Sequence, residues 1–143
     1  MPQMPKTMTW HLPQADQETQ PYWDAAREGT LLIKECRSCG RSFFYPRAYC
    51  PRCWSGDTAW KEAAGRGTVY TFTVVHQNDL RPFNERVPYV VAIVELEEGV
   101  RMTSTIEGVA PEDVRCDMAV QVAFREEQRD GEPVALPVFR PVS

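Results

Sequence analysis

The sequence predicts a mainly β protein: one short N-terminal helix, a small cysteine-bearing ribbon, and a five-stranded barrel. Three observations predict it. Two C-x-x-C pairs stand at Cys36 and Cys39 and at Cys50 and Cys53. Beyond Gly65 come five runs rich in β-branched and aromatic residues, the composition of strands. Twelve prolines and eight glycines punctuate the 143 residues and leave little room for long helices.

The elements follow in chain order. Residues 1–19 are polar, proline-bearing and without periodicity, and read as a flexible arm. Thr19-Gln20-Pro21 reads as a helix start with proline in the first turn, and Gly29 as its stop. Two turns of helix are too short to stand alone, so Tyr22 and Trp23 must pack on something, either the same domain or a partner. Leu31 to Glu35 reads as a strand into the first cysteine pair, and Ser42 to Pro46 as the strand returning to the second. These make one unit over residues 20–64.

A second unit is expected over residues 65–143. Its strands are Thr68 to Val75, Tyr89 to Leu96, Val100 to Ile106, Ala119 to Phe124, and Pro133 to Val142, the last broken by Pro137. Glu97-Glu98-Gly99 turns the second strand into the third, and Pro111 to Val114 reads as a helical turn. Five strands with a short helical element between the third and fourth is the order of an OB-fold barrel, though other small barrels share the strand count.

The cysteine spacing carries the strongest chemistry. Each C-x-x-C turn lets two thiolates converge, and ten residues separate Cys39 from Cys50. Four sulfurs at about 2.3 Å make a closed tetrahedral zinc site with no open position for water, so the metal is structural. A rubredoxin-type iron centre has the same ligands. Two disulfides are the alternative. The first ten residues carry one lysine and no apolar block, unlike a secretory leader, so a reducing, cytoplasmic setting is expected and disulfides are disfavoured. No stretch approaches the roughly 20 apolar residues of a membrane helix. The fifth cysteine, Cys116, reads as a small buried apolar residue.

Charge is uneven along the chain. Residues 1–64 carry +1 and residues 65–143 carry -5, within a net -4. Between Cys36 and Trp54 lie Arg37, Arg41, Arg47 and Arg52 and no acid. Zinc with four thiolates carries about -2, so the ribbon stays basic, and the arginines help hold the thiolates. Gly65-Arg66-Gly67 is too short for a phosphate loop. It reads as the entry to the barrel, with Arg66 a further candidate anion contact. Catalytic candidates are thin: His11, and His76 at the end of the first barrel strand, with no nucleophile, P-loop or metalloprotease motif. Glu95, Glu97 and Glu98 read as the solvated end of a hairpin.

Taken in order, several short stretches resemble one family. They are Tyr22-Trp23-Asp24-Ala25-Ala26-Arg27-Glu28-Gly29, Cys36-x-x-Cys39-Gly40, Tyr45-Pro46-Arg47, and Cys50-Pro51-x-Cys53. Gly65 to His76, Pro88 to Leu96, and Glu98-Gly99 continue the series. The chain resembles the acyl-CoA-associated proteins with an N-terminal rubredoxin-like zinc ribbon and a C-terminal OB-fold, over nearly everything after residue 20. Asp117 departs from the pattern, where glycine is expected. The resemblance implies a non-catalytic accessory subunit of a thiolase-superfamily enzyme: an acyltransferase, a thiolase, or a lipid-transfer-protein-like aldolase. Some members pair instead with enoyl-CoA hydratases in steroid side-chain breakdown. It implies that the partner holds the catalytic residues.

On this reading Arg37, Arg41, Arg47, Arg52 and Arg66 are candidates to meet the phosphates of CoA, and Tyr22 and Trp23 to anchor the partner. A single-stranded nucleic-acid-binding module is the competing class, since zinc ribbons and OB-folds both serve it and Tyr70 and Phe72 could stack bases. The -5 of the barrel half opposes it. A self-sufficient enzyme using His76 or Cys116 is the third.

Overall fold

A computed structural model describes residues 12–80, 83–129 and 131–142. Of the arm expected over residues 1–19, residues 1–11 lie outside the described residues. Residues 12–19 lie on the body: Leu12 is buried, and Asp16 and Thr19 lock a turn. The Thr19 amide and hydroxyl both donate to Asp16 Oδ1, at 2.8 and 2.9 Å. That turn feeds helix α1 (Gln20–Arg27) in place of a side-chain cap, with proline in the first turn as expected.

The helix packs on its own chain. Tyr22 and Ala26 are buried, and Tyr22 joins Leu31 and Ile33 in the main core. The ribbon is a three-stranded sheet of β1 (Leu32–Cys36), β2 (Ser42–Phe43) and β3 (Thr58–Glu62), with β1 central. The return strand expected to reach Pro46 stops at Phe43. Pro46 has no N–H to continue the ladder, and β3 supplies the second edge instead. Strand β3 was not expected from its composition, Thr-Ala-Trp-Lys-Glu. Its register on β1, Leu32 opposite Glu62 through Cys36 opposite Thr58, imposes it.

The barrel is closed, in the order β4-β5-β6-β8-β7 with β7 returning to β4. Its strands are β4 (Arg66–Val75), β5 (Tyr89–Leu96), β6 (Arg101–Ile106), β7 (Ala119–Arg129) and β8 (Glu132–Pro141). A one-turn helix at Pro111–Asp113 lies between β6 and β7, as the sequence order predicts. Along β5 alternate residues Val90, Ala92, Val94 and Leu96 are buried. Each of the valine and leucine side chains contributes about 1.5–3 kcal/mol of burial, and the Ala92 methyl less. A bulge between Val69 and Thr71 shifts β4, so Val69 is buried while Tyr70 and Thr71 both face out.

Pro137 does not break the last strand. Residues 132–141 pair with β7 throughout, Pro137 opposite Phe124. The Pro137 carbonyl accepts from Ser104 Oγ of β6 at 2.9 Å, so its missing N–H falls on the β6 side. There the ladder has a single pair, Ile106 with Phe139, and no donor is lost. One apolar core runs from Tyr22, Leu31 and Ile33 into the barrel, while Cys36, Phe43 and Cys50 form a second, smaller cluster at the ribbon tip.

Candidate functional site

The two C-x-x-C turns form the same structure twice. The Cys36 amide donates to Arg41 O at 2.8 Å, and the Cys50 amide to Ser55 O at 2.9 Å. The Gly40 amide donates to Cys36 O at 2.8 Å, and the Trp54 amide to Cys50 O at 3.0 Å. Ser38 and Ser55 hydroxyls meet at 2.9 Å and tie the two turns together. The result brings all four sulfurs within 4.8 Å of one another.

These sulfurs fit one metal ion. Cys36 and Cys53 Sγ stand 3.6 Å apart, and Cys39 and Cys50 Sγ 3.7 Å. A tetrahedron with arms of about 2.3 Å has edges of about 3.8 Å. Backbone amides also aim at the sulfurs, Cys39 N at Cys36 Sγ (3.5 Å) and Arg52 N at Cys50 Sγ (3.4 Å). The Cys53 amide above all, then that of Arg52, pulls the Cys50 thiol down to about 7. Crowding raises the Cys39 thiol, through desolvation and then the Cys36 sulfur. The Cys53 thiol is pushed up to about 11: the Ser55 amide opposes the rise, and the Cys36 sulfur and desolvation outweigh it. Four sulfurs gathered this closely suit a dication between them, which would stabilise all four as thiolates. With two ligands buried and no other donor in the set, the site suits structural zinc.

The five candidate arginines do not converge. Arg37 is paired with Asp57 at 3.0 Å. Arg66 makes a two-pronged pair with Glu97 at 2.9 and 3.2 Å, at the mouth of the barrel. Arg47 Nε reaches Tyr45 O at 3.4 Å. Arg41 and Arg52 are exposed and line one cleft of about 380 Å³ with Ser42, Phe43, Cys50 and Pro51.

The aromatic pair is also divided. Tyr22 is buried, 5% exposed, edge-on to Trp23 at 4.9 Å and against Phe44 at 5.6 Å. It is a core residue with little surface, because the short helix holds its place largely by burying this ring. Trp23 is half-buried and lines an apolar groove of about 390 Å³ with Phe44, Tyr45, Pro46, Leu136 and Val138.

Cys116, expected to be buried, is exposed, because Val114 and Met118 take the inward places of its turn. His76 is exposed at the end of β4, and His11 lies outside the described residues. Tyr70, the aromatic open on the barrel, already carries the Arg101 guanidinium 3.8 Å above its ring.

The sequence reading missed two features. Arg86, Glu107, Arg125 and Glu127 form a linked ion-pair cluster, Arg125 Nε with Glu127 at 3.1 Å, in which burial and the Arg86 charge lower the Arg125 affinity for its proton. Only Arg125 and Glu127 are near one another in sequence; Arg86 and Glu107 join them from far along the chain, so no spacing marks the set. Trp54, 79% exposed with φ +64°, stands where the first turn has Gly40 at φ +75°. Setting the two turns side by side in the sequence would have found it.

Comparison with known proteins gives the family. Residues 23–59 match the ChsH2 rubredoxin-like zinc ribbon domain, and residues 60–125 the ChsH2 C-terminal OB-fold domain. A DUF35 domain-containing scaffold protein of Methanocaldococcus jannaschii is 41% identical over 77% of this chain and 79% of its own length. The probable enoyl-CoA hydratase alpha subunit of Thermomonospora curvata is 36% identical over 90% of this chain, which spans only 39% of that relative. The benzoylsuccinyl-CoA thiolase subunit BbsA of Geobacter metallireducens is 32% identical, over 62% of this chain and 58% of its own length. Among solved structures, a chain of the Ltp2-ChsH2(DUF35) aldolase superposes with TM-score 0.77 at 35% identity, covering 91% of this chain and 98% of that one. A Sulfolobus solfataricus DUF35 protein of unknown function, TM-score 0.60 at 15% identity over 90% of this chain and 87% of its own, shares the fold. The chain belongs to the ChsH2/DUF35 family, built from a rubredoxin-like zinc ribbon and an OB-fold barrel.

Proposed function

We propose that this chain is a non-catalytic accessory subunit of a thiolase-superfamily enzyme acting on acyl-CoA thioesters. The observation that carries the reading is the likeness, along nearly its whole length, to the ChsH2(DUF35) chain of an aldolase. The thiolase subunit and hydratase alpha subunit among the relatives support it. A 34% identical relative is a hydratase subunit for a steroid carboxyl-CoA, which supports lipid or steroid side chains as the substrate class. The free thiols, gathered for a metal, support a reducing, cytoplasmic setting.

The chain's own residues would serve assembly and binding. Zinc, when held by Cys36, Cys39, Cys50 and Cys53, supplies rigidity to the ribbon. Trp23 and its groove offer an apolar seat for the enzyme. Contact with CoA falls to Arg41 and Arg52, whose guanidinium groups share a cleft and form no ion pair among the described residues. Arg37 and Arg66 would have to leave carboxylates to join them.

Co-expression with a thiolase-superfamily enzyme from the same organism tests the reading. A co-purifying complex is expected, active on an acyl-CoA, with no turnover by this chain alone. In the complex, Arg41→Ala with Arg52→Ala should raise KM for the thioester roughly tenfold or more. A fully active enzyme that never associates with this chain would overturn the reading.

A further inference from the structure

We infer that the ribbon tip centred on Trp54 seats this chain on its enzyme, the indole entering an apolar recess rimmed by acidic side chains. The inference rests on the accessory-subunit reading and names the surface that would execute it. The two metal turns are near copies, and each ends on a residue in the left-handed region, Gly40 at φ +75° and Trp54 at φ +64°. Glycine takes that conformation freely, whereas a bulky side chain there is a strained outlier. The turn imposes this backbone, since the Trp54 amide closes it on Cys50 O at 3.0 Å, but nothing in the fold repays the choice of an indole there over glycine. The residue is 79% exposed, and its indole has no hydrogen bond or ring contact among the described residues. Strain of this kind at an exposed position points to use of the side chain outside the molecule.

The surroundings suit docking. Tyr49 is 61% exposed on the same turn, and its ring lies over Gly56, where an added β-carbon would stand 3.4 Å away. Bound metal and the Cys50–Ser55 hydrogen bond fix the backbone that carries Trp54, so little is left to order on binding. Charge selects the partner's chemistry. The segment from Cys36 to Trp54 has four arginines and no acid; with zinc and four thiolates at about -2 it keeps about +2, and Arg37 is already paired with Asp57, against -5 for residues 65–143. An acidic surface is therefore drawn to the ribbon and repelled by the barrel, which orients the approach. Tryptophan among arginines is also the composition of interface hot spots.

The test compares zinc-loaded full-length wild type, Trp54→Gly and Trp54→Phe for binding to the separately purified thiolase-like enzyme. Trp54→Gly should lose at least about thirtyfold in affinity. It should keep one zinc per chain and an equal or higher Tm, because glycine relieves the φ. Trp54→Phe should keep most of the affinity, and added salt should weaken wild-type binding. Equal affinity in wild type and Trp54→Gly overturns the inference while leaving the subunit reading intact. A wild type that does not bind the enzyme overturns that reading, and the inference with it. Loss of zinc or a lower Tm in Trp54→Gly assigns the residue to the fold and overturns the inference. So does salt-sensitive binding of single-stranded oligo(dT) that Trp54→Gly abolishes.

Discussion

Gly67 lies so close to Glu95 that a β-carbon on it would stand 2.4 Å from the Glu95 carbonyl oxygen. Gly67 sits between two neighbours, opposite Leu96 of β5 and Val120 of β7, where β4 enters the barrel. The Arg66 side chain, next along, is bound to Glu97 on the surface. The Gly-Arg-Gly sequence is thus a close approach of three strands. Gly67→Ala should push β5 from β4 and cost about 1–3 kcal/mol, read by urea unfolding. Removing the exposed Arg66–Glu97 pair should have a smaller effect.

Zinc should be stoichiometric and local in its effect. Elemental analysis should find one zinc per wild-type chain and a clear loss in Cys39→Ser. Hydrogen exchange should then show residues 36–57 unprotected in the mutant while the barrel amides stay protected. The reason is the division of the interior: Cys36, Phe43 and Cys50 form their own cluster, whereas Leu31 and Ile33 belong to the main core.

Tyr22 should set an alkaline limit. Burial above all, with Tyr45 beside it, raises the Tyr22 hydroxyl well above its ordinary 10.0. The folded state therefore holds this proton more tightly than the unfolded chain does. The resulting stability is complete below pH about 10 and is lost as pH climbs above that value. Absorbance near 295 nm should show Tyr22 ionising only as the protein unfolds. Tyr22→Phe should move the onset of alkaline unfolding upward and change stability little at neutral pH.

Asp117 occupies the position where the family resemblance led us to expect glycine, and its φ is +65°. Its amide donates to Val69 O at 2.7 Å, which holds the turn before β7 against β4. Aspartate tolerates this conformation better than most residues. Asp117→Gly should lie within about 0.5 kcal/mol of wild type, relief of strain offsetting lost chain stiffness. Asp117→Val should destabilise by about 1–2 kcal/mol. Equilibrium unfolding of the pair checks both values.

The barrel strands and the metal set were legible because their signals are local. Val90, Ala92, Val94 and Leu96 alternate within eight residues, and each cysteine pair closes within one turn. Strand β3 was not legible. Thr58 to Glu62 has little strand character of its own and extends because β1 lies beside it. The continuity of β8 through Pro137 was not legible for a related reason. Proline opposes a strand on average, but only the neighbour on its N–H side decides the cost, and at Pro137 that side is the sparsely paired β6 seam.

By itself the sequence determined the two-part plan, the four metal ligands and the basic ribbon, since these depend on spacing and composition along the chain. Tertiary structure alone decided which candidates are available to a ligand. It buried Tyr22, engaged Arg37 with Asp57 and Arg66 with Glu97, and left Arg41, Arg52 and Trp54 at the surface. The physical reason is that exposure and charge pairing are set by neighbours in space. Asp57 lies 20 positions from Arg37 and Glu97 lies 31 from Arg66, separations across which no sequence pattern carries.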